Sequence, residues 1–138
     1  MLYDYTTVTV ASVRAEVEEA IARAEEQLAA VVAPQGKRTW DSTMAPLDRI
    51  AAAVTIASGR GPFMARVHPD KEVRDAAQAA EERLSKWVSD LAFRRDLYEA
   101  VEAYAATPEA AALDGEDARL LEFARRDFRR AGHGLSPE

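Results

Sequence analysis

Apolar side chains recur every three or four residues along most of this chain, which leaves few folds other than helical ones open to it. The opposite face of the first such stretch carries mainly glutamate and arginine. Ser12 stands in front of the stretch and is a good helix N-cap, whereas Pro34 and Gly36 follow it as helix breakers. We therefore predict a first helix whose buried stripe is Val13, Val17, Ile21, Ala24, Leu28 and Val31.

A second helix is predicted after Thr39, which is another N-cap residue. Pro46 falls inside this helix, where it removes one backbone hydrogen bond and is expected to cause a kink. The segment Ser58 to Pro62 holds two glycines and a proline and is expected to end the helix. The predicted buried stripe is Trp40, Met44, Leu47, Ile50 or Ala51, Val54 and Ala57.

A long third stretch begins at His68-Pro69-Asp70, since proline and acidic residues suit the first turn of a helix. The next apolar residues of its stripe are expected at positions 94 and 95, but both are arginine. We therefore predict a break near residues 93–96, with Asp96 as the cap of a restarted helix. This helix is expected to end at Thr107-Pro108. The predicted stripe is Val73, Ala77, Ala80, Leu84, Trp87 or Val88 and Leu91, then Leu97 or Tyr98, Val101, and Tyr104 or Ala105.

A last helix is predicted after Asp114-Gly115 and is expected to stop at Gly132, with residues 134–138 as a tail. Its apolar residues are Leu120, Leu121, Ala124, Phe128 and Ala131. Alanine, the best helix former, accounts for 29 of the 138 residues. The predicted fold is an all-α bundle of four to five antiparallel helices with an extended N-terminal arm at residues 3–11, in a single domain of residues 1–138.

Composition excludes several functions. With no cysteine there is no disulfide, no thiolate nucleophile and no cysteine metal site. A net charge of −6 argues against nucleic acid as a partner, because phosphate binding depends on clustered Lys and Arg. No window reaches the roughly 18 apolar residues of a membrane span, so no membrane partner is expected. The first ten residues lack a signal-peptide pattern, so a cytoplasmic location is expected.

The candidate reactive groups are few. The zinc-peptidase pattern H-E-x-x-H is absent, and the two histidines, His68 and His133, lie far apart in sequence. His68 and Glu72 stand one helical turn apart and suit a shared ion, but a histidine beside a proline at a helix start is more often a cap or a surface residue. Residues 59–61, Gly-Arg-Gly, hint at a phosphate loop, but they lack a preceding strand and a following Lys-Ser/Thr pair, which favours a helix stop. We predict no catalytic, cofactor-binding or metal-binding residue in this chain.

The arginine cluster Arg125 to Arg130 contains an aromatic residue and is the best candidate for anion or nucleic-acid binding. Residues 116–138 hold five arginines and five acidic residues, however, which favours a solvated helix face. Aromatic side chains at helical spacing usually fill a core. We therefore expect a core position for most of Trp40, Trp87, Phe93, Tyr98, Tyr104, Phe123 and Phe128.

Four stretches match segments of one known family in order and in spacing. Residues 38–47, RTWDSTMAPL, are similar to T-[FW]-x-N-T-x-x-P-L, with Ser42 in place of the usual asparagine. Residues 67–74, VHPDKEVR, are similar to V-x-P-D-K-E-[LV]-R. Residues 81–98, and residues 120–132 with Leu135, are similar to A-x-x-x-L-S-x-[WF]…R-x-D-L-Y and to R-L-L-E-x-x-x-R-D-F-R-R-A-G-x-x-L. Together they resemble the N-terminal part of the thimet oligopeptidase, neurolysin and oligopeptidase A family of zinc metallopeptidases.

The resemblance implies a non-catalytic helical domain that forms one wall of a substrate channel and restricts the zinc site to short peptides. The family's zinc helix lies far downstream of this part, so no zinc ligand or catalytic residue is carried over, and zinc is expected only in the full-length enzyme. The implied partners are a catalytic domain and a peptide substrate. The alternative is a free-standing interaction module that associates with itself through exposed apolar surface.

Overall fold

The computed structural model of the protein describes residues 2–33 and 35–135. Every helix or strand element in these two stretches is helical, which confirms the predicted all-α class. A 3₁₀ turn at Tyr5–Thr7 comes first, and a π-helical turn at Arg129–His133 comes last. Between them lie α1 (Val10–Val32), α2 (Trp40–Arg60), α3 (Met64–Val67), α4 (Lys71–Leu91), α5 (Arg95–Ala105), α6 (Pro108–Ala111) and α7 (Gly115–Phe128).

The buried stripe of α1 is confirmed, since each of its six predicted residues is at most 6% exposed. The predicted start is wrong, because α1 begins at Val10 and Thr9 takes the cap position. The Ser12 N–H donates to Thr9 Oγ1 at 3.1 Å, and the Thr9 N–H donates to Ser12 Oγ at 2.8 Å. Pro34, the predicted breaker, lies outside the described residues, and α1 ends at Val32.

The start of α2 is confirmed at Thr39, which exchanges hydrogen bonds with Ser42 as Thr9 does with Ser12. Pro46 lies inside α2, and the kink expected there stays a prediction. The helix continues through Gly59 to Arg60, so the predicted stop takes effect only at Gly61. Residues 64–67, which lie between the second and third predicted helical stretches, form the single turn α3.

The predicted break in the third stretch is confirmed, because α4 ends at Leu91 and α5 begins at Arg95. Arg94 occupies the N-cap position of α5, so the prediction that Asp96 caps this helix is wrong. Asp96 lies in the first turn, where its carboxylate accepts from the Arg94 guanidinium at 2.9 Å and lies near the positive helix end. The predicted end at Thr107-Pro108 is also a start, since Thr107 caps α6 and Pro108 is its first residue.

The chain forms two compact units, residues 1–26 with 50–88 and residues 27–49 with 89–138. In the first unit, Arg83 of α4 pairs with Glu18 of α1 at 3.0 Å, and the Trp87 indole N–H donates to Glu25 at 2.7 Å. Gly61 lies so close to α1 that a Cβ there would be 3.3 Å from the Val13 carbonyl oxygen. The sequence left Trp87 and Val88 as alternatives for one buried position. Trp87 is the buried one, and Val88 is 42% exposed.

The core of the second unit includes a cluster of four buried residues, namely Met44, Val101, Tyr104 and Leu121. Trp40, Leu47 and Phe128 are among the half-buried apolar residues that pack against it. The helical path ends at Gly132, where φ is +108°, a backbone conformation that glycine adopts at little cost. This confirms the predicted stop at Gly132, although the last turn is π-helical.

Four finer predictions are left open. The count of four to five helices is not confirmed, because α3 and α6 add single turns of four residues each. An extended arm over residues 3–11 is not confirmed, because residues 5–7 form a 3₁₀ turn and α1 has begun by Val10. The antiparallel arrangement and the single domain stay predictions. No helix within the described stretches is both long enough and apolar enough to cross a bilayer.

Candidate functional site

His68 lies in the joint between α3 and α4, where it helps to cap α4. Its ring Nδ1 accepts from the backbone N–H of Asp70 at 3.1 Å. The Asp70 carboxylate in turn accepts from the backbone N–H of Glu72 at 2.8 Å. These bonds satisfy N–H groups at the helix start that have no partner within the helix. The capping interpretation of His68 is therefore confirmed.

Arg74 holds the same joint from the first turn of α4. Its Nη1 donates to the carbonyl oxygen of His68 at 2.9 Å and to that of Pro69 at 2.7 Å. A charged donor makes these hydrogen bonds stronger than neutral ones. The arginine that ends the VHPDKEVR segment thus fixes the path of the chain into α4.

Residues 59–61 serve as a helix end. Arg60 forms an ion pair with Glu16 at 3.7 Å, and its guanidinium lies 5.1 Å from the ring centroid of Tyr3. The Tyr5 hydroxyl donates to the Gly59 carbonyl oxygen at 3.3 Å. The helix-stop interpretation is supported, because the Arg60 charge and the Gly59 carbonyl are both engaged by neighbours in the first unit.

Arg38 joins the end of α1 to the start of α2. Its Nη1 donates to the Val31 carbonyl oxygen at 2.7 Å and is 3.4 Å from the hydroxyl of Thr43, which is fully buried. A cation at this place also suits the negative C-terminal end of α1. The RTWDSTMAPL segment therefore contains both the N-cap of α2 and the residue that binds the end of α1.

Glu109 of α6 caps α2 from a distance. One carboxylate oxygen accepts from the backbone N–H of Trp40 at 2.7 Å and from the Tyr104 hydroxyl at 3.2 Å. The ring of Trp40 meets Tyr104 edge to face, with centroids 6.3 Å apart. Burial, followed by the nearby Glu109 carboxylate, raises the pKa of Tyr104 to about 12. Sequence reasoning missed Glu109, since no local pattern connects it with Trp40.

Three of the four arginines in the cluster Arg125 to Arg130 contact neighbouring residues. Arg125 forms a two-point ion pair with Glu102 of α5, and the hydrogen bonds from Arg125 hold the pKa of Glu102 below its usual range. Arg126 contacts Asp127 at 3.0 Å and lies over the Phe123 ring at 4.6 Å. Arg129 Nε donates to the Arg125 carbonyl oxygen at 3.3 Å. These contacts favour the interpretation of the cluster as a helix face rather than an anion site.

Five of the seven aromatic residues considered for the core are buried or half-buried, whereas Phe93 is 67% and Phe123 is 43% exposed. Three aromatic rings gather at the end of α7. His133 stacks on Tyr98 with centroids 5.0 Å apart, and it meets Phe128 edge to face at 5.7 Å. Its Nε2 lies 2.9 Å from the Ala92 carbonyl oxygen. The second imidazole, like that of His68, is thus in contact with backbone.

A zinc site does not fit the described residues. Among residues 2–33 and 35–135, no group of three or more His, Asp or Glu side chains is arranged to hold a metal ion. Zinc sites in proteins use three or four such ligands.

Two open grooves lie on the first unit. The larger, of about 440 Å³, is lined by Ala65, Arg66, Gln78, Glu81, Glu82 and Ser85. The smaller, of about 200 Å³, is lined by Arg14, Val17, Glu18, Ala76, Ala79, Ala80 and Arg83. Ser85 provides a hydroxyl group in the larger groove, and the residues that line this groove include no histidine that could act as its base.

The described residues thus define a helical scaffold whose polar side chains form caps, joints and ion pairs. A model of the neurolysin/thimet oligopeptidase N-terminal domain matches residues 10–138. The chain belongs to this family of N-terminal domains. No curated protein matches the chain.

Proposed function

We propose that this chain is the non-catalytic helical N-terminal domain of a zinc-dependent oligopeptidase, in which it forms part of the wall of the substrate channel. Membership of the N-terminal domain family supports the proposal. In this role the helices act sterically: they limit which peptides reach a zinc site that other residues provide.

One observation supports the proposal most directly: the segments that resemble the family contain several of the caps and ion pairs that hold the helices together. Thr39 and Arg38 fix the start of α2, and Arg74 fixes the start of α4. Arg125, in the last segment, ties α7 to α5. Caps and ion pairs define the shape of a domain and supply no reactive group, and a channel wall contributes through its shape.

A domain exchange tests the channel role. Residues 10–138 would replace the N-terminal domain of an active oligopeptidase of this family, and the hybrid would be given a short fluorogenic peptide and an unstructured protein. We expect the hybrid to cleave the peptide and to spare the protein. The parent enzyme with its N-terminal domain deleted is the control and is expected to lose this size limit, provided that circular dichroism shows it to be folded.

Two results of the exchange contradict the proposal. The first is a folded hybrid that cleaves both substrates, because the helices then impose no size limit. The second is a hybrid that keeps the size limit when the added domain has been unfolded by a disruptive core substitution such as Val101→Asp. Val101 is fully buried in the second unit, so a charge there leaves the scaffold without its core.

A second candidate is a free-standing module that forms a homodimer through apolar surface. Large apolar side chains that are more than half exposed favour it, namely Leu2, Ile56, Val67, Phe93 and Leu135. Sedimentation velocity over a range of protein concentrations separates the candidates. A tight dimer supports the module, and a monomer at all concentrations contradicts it.

A further inference from the structure

The last helical turn of the described chain has an unusual form. After α7 the backbone continues as a π-helical turn, Arg129–His133, in which Gly132 has a φ of +108°. A glycine of positive φ commonly ends a helix. The side-chain contacts of the residues around Gly132 then decide where this end of the described chain lies.

Those contacts converge on His133. A carbonyl oxygen only accepts hydrogen bonds, so the imidazole Nε2, 2.9 Å from the Ala92 carbonyl oxygen, carries a proton and donates it. The ring lies flat on Tyr98, with an angle of 13° between the planes, and meets the edge of Phe128. The His133 carbonyl oxygen accepts in addition from Arg95 Nη1 at 3.3 Å.

His133 packs on the short joint between α4 and α5. Ala92 lies in the joint between α4 and α5, and Arg95 and Tyr98 belong to the first turn of α5. Arg95 also lies over the Tyr98 ring, 5.2 Å from its centroid. The imidazole thus binds the π-helical turn to the one place where the long helical stretch of residues 71–105 is interrupted.

The geometry points to a latch: His133 holds residues 129–135 on the α4–α5 joint, and this segment opens as a local unit, with the core of its own unit intact, when the imidazole is removed. In the closed position the latch sets the direction in which the chain leaves α7. Local opening of this kind is separate from global unfolding, because Met44, Val101, Tyr104 and Leu121 form their core without His133. The inference does not depend on the proposed function.

Hydrogen–deuterium exchange of the full chain tests the latch. In the His133→Ala variant we expect backbone amides of residues 129–135 to exchange roughly ten-fold faster, since two ring contacts and one hydrogen bond are lost. The amides of Ala92, Phe93 and Arg94, which bond within the joint, are expected to exchange faster as well. Amides of residues 100–104 are expected to keep the wild-type rate.

Two further substitutions and one control make the test specific. His133→Phe keeps a ring on Tyr98 without the donor, and His133→Gln keeps a donor without the ring, so each is expected to give a smaller increase than His133→Ala. His68→Ala removes the other imidazole and is expected to leave residues 129–135 unchanged. An unchanged rate in His133→Ala, or an equal increase through residues 100–104, overturns the latch.

Discussion

Arg125 and Glu102 meet as a two-point ion pair, with Nε 2.8 Å from Oε1 and Nη2 3.0 Å from Oε2. The pair joins α7 to α5, and both side chains are about one-third exposed. Arg125 lies in a segment that resembles the family, and a two-point contact of this kind is one that Lys cannot reproduce.

We predict that Glu102→Gln lowers the free energy of unfolding at neutral pH by about 1 kcal/mol, a value reduced for partial exposure. The pair lowers the pKa of Glu102 in the folded state, so its contribution is complete above the ordinary value of 4.5 and is lost as the pH falls through the lowered pKa. Urea unfolding at neutral and at acid pH measures the difference. Glu99→Gln is the control, because Glu99 and Arg95 are both more than 60% exposed. A Glu102→Gln effect that is equal at both pH values contradicts the prediction.

The shared acceptor at Glu109 gives a second prediction. Glu109→Ala leaves the Trp40 N–H and the Tyr104 hydroxyl without their acceptor in a half-buried place, so we expect a loss of about 2 kcal/mol. Glu109→Gln retains an acceptor oxygen and is expected to lose less. Denaturant unfolding followed by tryptophan fluorescence measures both, with the exposed Glu122→Ala as control. Equal stability of Glu109→Ala and wild type would refute the remote cap.

The raised pKa of Tyr104 predicts that the free energy of unfolding falls at alkaline pH. Its pKa is about 12 in the folded protein against an ordinary value of 10.0, so the unfolded chain loses this proton first. The free energy of unfolding is therefore expected to fall as the pH rises from 10 to 12. Tyr104→Phe removes this part of the pH dependence. If the variant and the wild type lose stability in parallel over this range, Tyr104 is not its source.

Arg74 is expected to stabilise the α3–α4 joint. Arg74→Ala removes the charged donor to the His68 and Pro69 carbonyl oxygens, and we predict a loss of about 1–2 kcal/mol. Lys71→Ala, which breaks an exposed ion pair with Asp75, is the matched control and should change stability by less than about 0.5 kcal/mol. Thermal unfolding of both variants provides the measurement. A larger effect at Lys71 than at Arg74 contradicts this role.

The helices were predictable because their signals are local. The stripe of α1 and the interruption at Arg94 and Arg95 follow from spacing alone. The start of α1 was misplaced because Thr9 and Ser12 are both good caps, and the structure uses them as a reciprocal pair. Spacing also left Trp87 and Val88 equivalent, and the indole took the buried position with Glu25 as its hydrogen-bond partner.

The polar contacts of the second unit were beyond sequence reasoning because they join distant residues. Glu109 lies 69 positions from Trp40, and His133 lies 41 positions from Ala92. Neither residue belongs to a motif whose chemistry requires such a partner. Tertiary packing brings Glu109 to Trp40 and His133 to Ala92.

Peptide hydrolysis by the purified chain tests most directly the proposal that these residues form a scaffold without a reactive centre. A short fluorogenic peptide would be incubated with the chain, with added zinc and with a chelator, beside a His68→Ala/His133→Ala variant. The account predicts a rate equal to that of buffer with zinc in every case. Turnover that rises with the concentration of the chain, and that both the chelator and the double substitution abolish, would contradict it.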